Sequence, residues 1–145
     1  MKHNLILRVV SKFLIPLIFL FALYVQFHGD FGPGGGFQAG VIFSAAIILY
    51  ALVFGVDSAK QVIPPSILLF LASLGVLIYA GTGVASLMMG GNYLEYGVLA
   101  STQLAGQHIG ILLIELGVGI TVMAVMLIMF FAFAERGRQQ EDKKS

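Results

Sequence analysis

The sequence contains no cysteine and little charge. The absence of cysteine excludes disulfide frameworks, thiolate metal ligands, thiol nucleophiles and cysteine-held iron–sulfur clusters. Only 10% of the 145 residues are charged, whereas soluble domains carry about 25%. The net charge of +1 gives no reason to expect a nucleic-acid partner. Apolar side chains are abundant instead, at 59% of residues with a mean hydropathy of +0.97, and they predict a polytopic membrane protein.

Four long apolar segments are separated by glycine, proline or polar residues. Each has the length of about 20 residues that a membrane-spanning helix needs. Backbone polar groups in hydrocarbon must bond within their own segment, and the alternation of a β-barrel is absent. The sequence therefore predicts a single all-α membrane domain over 1–145. Its four transmembrane helices are expected at about 5–27, 36–54, 66–89 and 109–134, with a charged tail at 135–145.

The basic residues predict how these helices are oriented. Cytoplasmic loops of membrane proteins are enriched in lysine and arginine. The predicted spans place every basic residue on one side, namely Lys2, Arg8, Lys12, Lys60, Arg136, Arg138, Lys143 and Lys144. Both termini are therefore expected in the cytoplasm, and the loops before the second and fourth spans outside.

The remaining connections are expected to be irregular. The loop at 55–65 ends in two prolines, which stop one helix and allow the next to start. The loop at 90–107 is too apolar for a free linker, so we expect it on the membrane surface or against a partner. The charged tail is expected to be solvated and frayed.

A glycine-rich run, residues 28–40, joins the first two spans. No strand precedes it and no Gly-Lys-Ser/Thr follows, which excludes dinucleotide and Walker A sites. Two interpretations stay open, namely close packing of the loop into a partner and a direct part in an ion path. A small face of the second helix continues from the run and favours close helix packing. The motif and packing residues are Pro33, Gly34, Gly35, Gly36, Phe37, Gly40 and Ser44.

Glu115 is the only acidic residue well inside a predicted span. If the fourth helix enters the membrane near Ile109, Glu115 lies about 9 Å below the outer boundary. A carboxylate at that depth must pair, take up a proton or face water. His108 lies seven residues earlier on the same helix face. The carboxylate is either a protonatable or cation-attracting site or a structural group capped by a partner.

Three further polar residues lie in the glycine-rich run, namely His28, Asp30 and Gln38. Asp30 either caps the second helix or attracts cations to an entrance, and with His28 it can equally form a solvated loop pair. Gln38 is a candidate donor of a hydrogen bond between helices. The three histidines form no cluster that predicts a metal site, and no nucleophile triad or carboxylate pair predicts hydrolysis. We therefore expect neither a cofactor nor enzymatic activity.

Residues 33–40, Pro-Gly-Gly-Gly-Phe-Gln-Ala-Gly, resemble the signature of the MnhB family, also called MrpB, among the Mrp-type cation/proton antiporter subunits. Members of that family share the Pro-Gly-Gly-Gly-Phe string followed by a further glycine. A second similarity begins at Glu115, where the sequence Glu-Leu-Gly-Val is similar to an acidic residue, an aliphatic residue, Gly and Val early in the family's last helix. The acidic residue there is more often Asp. The resemblance extends over nearly the whole chain.

The resemblance implies a small membrane subunit of a multisubunit antiporter that exchanges Na⁺ or K⁺ for protons across a prokaryotic cell membrane. Its partners would be large complex I-like antiporter subunits and other small membrane subunits. The alternative is a membrane subunit of an ion-pumping hydrogenase or another complex I-like respiratory complex. A transporter acting alone is expected to have internal repeats and broken helices, and this sequence has neither. The chain is therefore expected to contribute to assembly and to one wall of a cation path.

Overall fold

The computed structural model describes residues 3–29 and 34–142. In this part of the chain every regular element is helical, and four helices are long and apolar enough to cross a membrane. The prediction of an all-α protein with four membrane-length helices is confirmed. The elements in order are α1 (His3–His28), α2 (Gly36–Phe54), α3 (Val56–Val62), α4 (Pro65–Met88), a 3₁₀ helix (Tyr96–Leu99) and α5 (Gln103–Asp142).

Glycine and proline set the boundaries around the short helix α3. Gly55 ends α2 with φ of 103°, a conformation that costs little only for glycine. Pro64 is extended, and Pro65 occupies the first turn of α4, where its missing N–H breaks no helical hydrogen bond. The sequence predicted an irregular loop at 55–65, and this prediction is wrong for Val56–Val62. A helical turn fits there because Lys60 pairs with Glu135 of α5.

The helix α5 is the centre of the bundle. It packs against α4 on one side and α2 on the other, while α1 packs mainly against α2. Small residues allow these close approaches: a methyl group on Gly40 would lie 2.6 Å from the carbonyl oxygen of Gly119, and one on Gly75 would lie 2.6 Å from that of Gly117. Real carbon atoms do not approach that closely, so both helix pairs need glycine. Larger side chains fill the core beyond these crossings, among them Leu68, Leu127 and Phe131.

The α4–α5 hairpin extends beyond the α1–α2 hairpin at one end of the bundle. The first residue of α2, Gly36, lies beside Glu115, whereas α5 begins at Gln103. With 1.5 Å per residue, α5 continues for about 18 Å past the level of Glu115. Gly29 and Gly35 therefore lie below the upper part of α5, and we call the step that this difference in height leaves the recess.

The segment between α4 and α5 packs on this chain's own helices. The ring of Tyr93 lies over Gly83 of α4, and the ring of Tyr96 lies over Gly110 of α5. The expectation that this segment lies on the membrane surface or against a partner stays a prediction, and these contacts with the chain's own helices are additional to it. Aromatic rings bury most area against flat helix surfaces, and glycine provides such a surface here.

The tail is also more ordered than the sequence predicted. The last helix continues without interruption to Asp142, so the expected fraying after 134 is wrong for the residues described. Two ion pairs hold these extra turns, since Glu135 bonds Lys60 and Arg138 Nη1 bonds Asp57 Oδ1 at 2.8 Å. Lys143 and Lys144 lie outside the described residues.

Charged groups gather at the end of the bundle away from the glycine-rich loop. The ion pairs of Lys60 and Arg138 lie at this end, where α2 ends and α4 begins. The guanidinium carbon of Arg8 lies 5.6 Å from the centre of the Phe54 ring at the same end. The bundle therefore has a charged end and, opposite it, the recess beside the upper part of α5.

Candidate functional site

The carboxylate of Glu115 lies against the backbone of the glycine-rich loop. A methyl group on Gly29 would overlap Oε1 of Glu115 and lie 2.6 Å from Oε2. A methyl group on Gly35 would lie 3.0 Å from Oε1. Gly35 also has φ of 141°, so a side chain there would be strained in any case. Two glycines thus leave the space that the carboxylate occupies.

The first residue of α2 contacts the backbone of α5 and determines the level at which the two helices pack. A methyl group on Gly36 would overlap the main-chain carbonyl oxygen of Glu115, so the two backbones touch here. One turn later Gly40 meets Gly119 in the same way. The face continues to Ser44, which is buried and donates a hydrogen bond to the carbonyl oxygen of Val41 at 2.7 Å. The small face of α2 is therefore the surface that packs on α5.

The N-terminus of α2 provides a favourable field for the carboxylate. Gly35 is the N-cap residue of α2 and gives no side-chain cap, and Oε1 of Glu115 lies beside it. The first amide groups of a helix carry partial positive charge, which stabilises a nearby anion. The site thus combines a carboxylate with the first amides of a helix, an arrangement in which the field of the helix stabilises negative charge on the carboxylate.

Gln38 adds a further polar atom near the carboxylate. A methyl group on Gly35 would lie 3.6 Å from Oε1 of Gln38. The same position is close to Oε1 of Glu115, so the two side chains lie near each other. Gln38 itself is exposed, although the sequence suggested a buried donor; it stands in the first turn of α2, where the bundle opens to the recess.

Gln26 is the site residue that the sequence analysis missed. It is only 4% exposed, and its Nε2 has no hydrogen-bond partner among the described residues. Its Oε1 lies beside Gly119, one turn of α5 deeper than Glu115. Gln26 is the polar side chain lining a cavity of about 260 Å³ between α1, α2 and α5. No signal in the sequence singled out this residue, because only the packing shows which face of α1 is buried.

The other predicted residues are distributed around this site. His28 ends α1 next to Gly29, is half-buried, and stacks on the ring of Tyr24 with 5.1 Å between centroids. His108 is exposed on α5, about 10 Å above Glu115 along the axis. The structure thus brings His28 to the level of the carboxylate and leaves His108 two turns nearer the rim.

The remaining motif residues have different surroundings. Gly34 is close to the carbonyl oxygen of Val25, from which a methyl group would lie 3.1 Å away. The ring of Phe37 is 61% exposed and points away from the bundle. Asp30 and Pro33 lie outside the described residues.

Comparisons with known proteins agree with the resemblance found in the sequence. Residues 6–128 match the family described as "Domain related to MnhB subunit of Na+/H+ antiporter". The chain is 30% identical over 131 residues to a Na⁺/H⁺ antiporter subunit of Bacillus subtilis (strain 168), covering 83% of this chain and 91% of that protein. It is 32% identical over 138 residues to the "Putative antiporter subunit mnhB2" of Staphylococcus aureus (strain Newman), covering 92% of this chain and 97% of that protein. The chain therefore belongs to the MnhB family of Na⁺/H⁺ antiporter subunits.

Proposed function

We propose that this chain is a membrane subunit of a multisubunit Na⁺/H⁺ antiporter in a prokaryotic cell membrane, where it forms one wall of the cation path. Its family membership and its four membrane-length helices support the first part. Its partners are the large complex I-like subunits and the other small membrane subunits of the antiporter. The transported ions are protons and Na⁺, with K⁺ as the related monovalent alternative.

The position of the Glu115 carboxylate supports the second part. The carboxylate rests on Gly29 and Gly35 at the foot of a recess. A carboxylate inside a membrane span is costly to ionise, so its charge is balanced by a partner group, a proton or a cation, and the last two are the transported ions. The carboxylate oxygens, the amide oxygen of Gln38 and nearby carbonyl groups are hard ligands of the kind that alkali cations accept.

The neighbouring polar residues line the proposed path by which ions reach the Glu115 carboxylate. His108 stands nearer the rim of the recess and is exposed there. His28 ends α1 beside Gly29, and Asp30, which lies outside the described residues, is a further candidate to attract cations. Gln38 contributes an oxygen beside Gly35. One deep carboxylate does not make an autonomous exchanger, so neighbouring subunits complete the path.

A second part of the function is assembly. In the most apolar stretch of α1, only 11% of the residues are buried within the chain. Phe37, beside the loop, is 61% exposed. Apolar surfaces of this kind face lipid or neighbouring helices in a complex. Gly35→Leu separates the two roles: loss of the partners on purification indicates an assembly loop, and an intact complex without exchange indicates a loop of the ion path.

The substitution Glu115→Gln tests the direct role. We expect Na⁺-driven proton movement in membrane vesicles to fall at least about tenfold, because the amide neither binds a proton nor carries charge. Glu95→Gln is the matched control, since Glu95 is an exposed carboxylate on the same side of the bundle. Glu115→Asp keeps the charge and should retain part of the activity.

Assembly is measured in the same membranes by co-purification of the other subunits. An unchanged rate and unchanged Na⁺ dependence in an assembled Glu115→Gln complex would remove Glu115 from the path. Equal losses in Glu115→Gln and Glu95→Gln would show that general surface charge is responsible instead. Identification of the co-purifying proteins also tests membership in an antiporter against membership in a respiratory complex.

A further inference from the structure

A groove lies between α1 and α2 near the charged end of the bundle. It has a volume of about 420 Å³ and is lined by Lys12, Ile15 and Pro16 of α1 and by Tyr50 and Phe54 of α2. Arg8 stands one turn before Lys12 on α1, with its guanidinium carbon 5.6 Å from the centre of the Phe54 ring. Two cations therefore border an otherwise apolar and aromatic groove.

The two cations have no carboxylate partner among the residues that the structure describes. The carboxylates described at this end are Asp57 and Glu135, which bond Arg138 and Lys60. Arg8 is held by the Phe54 ring, which leaves its N–H donors free for an oxygen ligand. Lys12 is exposed. Among the described residues, no carboxylate therefore compensates the positive charge beside this apolar surface.

We propose that this groove binds an anionic phospholipid, with the headgroup phosphate between Arg8 and Lys12. Guanidinium and ammonium groups are the side chains that bind phosphate oxygens. The tyrosine and phenylalanine at the end of α2 occupy the level where aromatic residues meet lipid headgroups. An acyl chain continues along the exposed apolar surface of α1, where Phe13 is 73% and Leu17 60% exposed.

Charge complementarity favours a lipid over a neighbouring helix. A protein segment that filled this groove would have to bring a carboxylate to the membrane surface to balance Arg8 and Lys12. An anionic lipid brings both the phosphate and the apolar chain that the groove accommodates. The site lies at the opposite end of the bundle from Glu115, so this inference does not rest on the proposed cation path.

Photo-crosslinking of the complete complex tests the site. Photoactivatable phosphatidylglycerol is incorporated into membranes that contain the full complex, and the adducts on this chain are mapped by mass spectrometry. We expect adducts at residues 12–16 and 50–54. Arg8→Gln and Lys12→Gln should each lower this labelling about fivefold, the effect expected of one cation near an anionic lipid. Arg136→Gln is the matched control, because Arg136 is an exposed cation of α5 outside the groove.

Three outcomes would overturn the proposal. Equal labelling of the groove by photoactivatable phosphatidylcholine would show that the charge is not recognised. Loss of labelling when millimolar inorganic phosphate is added would identify a phosphate site rather than a lipid site. Adducts on a neighbouring subunit instead of residues 12–16 and 50–54 would show that a protein helix covers the groove. The comparison of the two lipids needs only the unmodified chain, so it decides the matter even if a variant fails to assemble.

Discussion

The carboxylate of Glu115 on α5 lies against the backbone of Gly29, the residue that follows α1. The contact joins the first and last long helices of the chain at the glycine-rich loop. It also leaves no room for a side chain at position 29, since a methyl group there would lie 2.6 Å from Oε2. The glycine therefore determines where the carboxylate stands, and the position of the carboxylate can be altered without removing it.

The substitution Gly29→Ala should displace the Glu115 carboxylate. We expect a cost of about 1–3 kcal/mol from overpacking and a marked fall in Na⁺/H⁺ exchange, with the complex still assembled. Gly81→Ala is the control, because a methyl group on that α4 glycine meets no atom within 4 Å. Exchange is measured in membrane vesicles and assembly by co-purification. Normal exchange in Gly29→Ala would show that transport does not depend on the position of the carboxylate.

Local pattern was sufficient to predict the four helices of membrane-spanning length. Each long helix contains an apolar stretch of membrane-spanning length, and the last of three consecutive glycines, Gly36, is the first residue of α2. The spacing of Gly36, Gly40 and Ser44 indicated a small face, and that face lies on α5. These features depend on residues close together in the chain, so the periodicity of the sequence is enough to predict them.

Contacts between distant residues were beyond the sequence alone. The helical turns after 134 depend on Lys60–Glu135 and Arg138–Asp57, pairs that are 75 and 81 residues apart. The contact between Glu115 and Gly29 likewise depends on how deeply the α1–α2 hairpin sits beside α5. Gln26 was missed because α1 reads as uniformly apolar, and only the packing shows which of its faces is buried.

The substitution Gln26→Leu should separate stability from transport. Replacement removes a buried amide whose Nε2 has no partner among the described residues, so we expect unchanged or higher thermal stability, by up to about 1–3 kcal/mol. Exchange should fall, because the polar group one turn below Glu115 is lost. The midpoint of thermal dissociation and the exchange rate are measured on the same preparation. Gln107→Leu, at an exposed position of α5, is the control. Lower stability with normal exchange would make Gln26 a structural residue only.

The pair formed by Asp57 and Arg138 predicts a pH dependence of the end of α5. The hydrogen bond from Arg138, followed by its charge, holds the pKa of Asp57 below its ordinary value of 3.8. Because the folded pKa is depressed, the stabilisation is present above the ordinary value and is lost as the pH falls through the lowered one. The protection of the amides of residues 135–140 against hydrogen exchange, relative to the intrinsic rate at each pH, should therefore fall at acidic pH.

Substitution of the arginine tests that dependence. Arg138→Gln should raise the pKa of Asp57 towards 3.8 and accelerate exchange of the same amides at neutral pH by no more than about fivefold, as expected for an exposed pair. High salt should have a similar effect on the unmodified chain. Arg136→Gln removes a neighbouring exposed cation and should leave the pKa of Asp57 nearly unchanged. An unaltered Asp57 titration in Arg138→Gln would mean that another group lowers it.

The distribution of basic residues predicts that the charged end of the bundle is cytoplasmic. The chain has no cysteine, so a cysteine introduced at one position is its single thiol. Asn92 and Gln61 are exposed at opposite ends of the bundle, the first before the 3₁₀ helix and the second in α3. Asn92→Cys should react with an impermeant maleimide added to intact cells, and Gln61→Cys only after permeabilisation. The reverse pattern would invert the orientation and would place the recess above Glu115 on the cytoplasmic side, so that cytoplasmic cations rather than external protons would reach the carboxylate first.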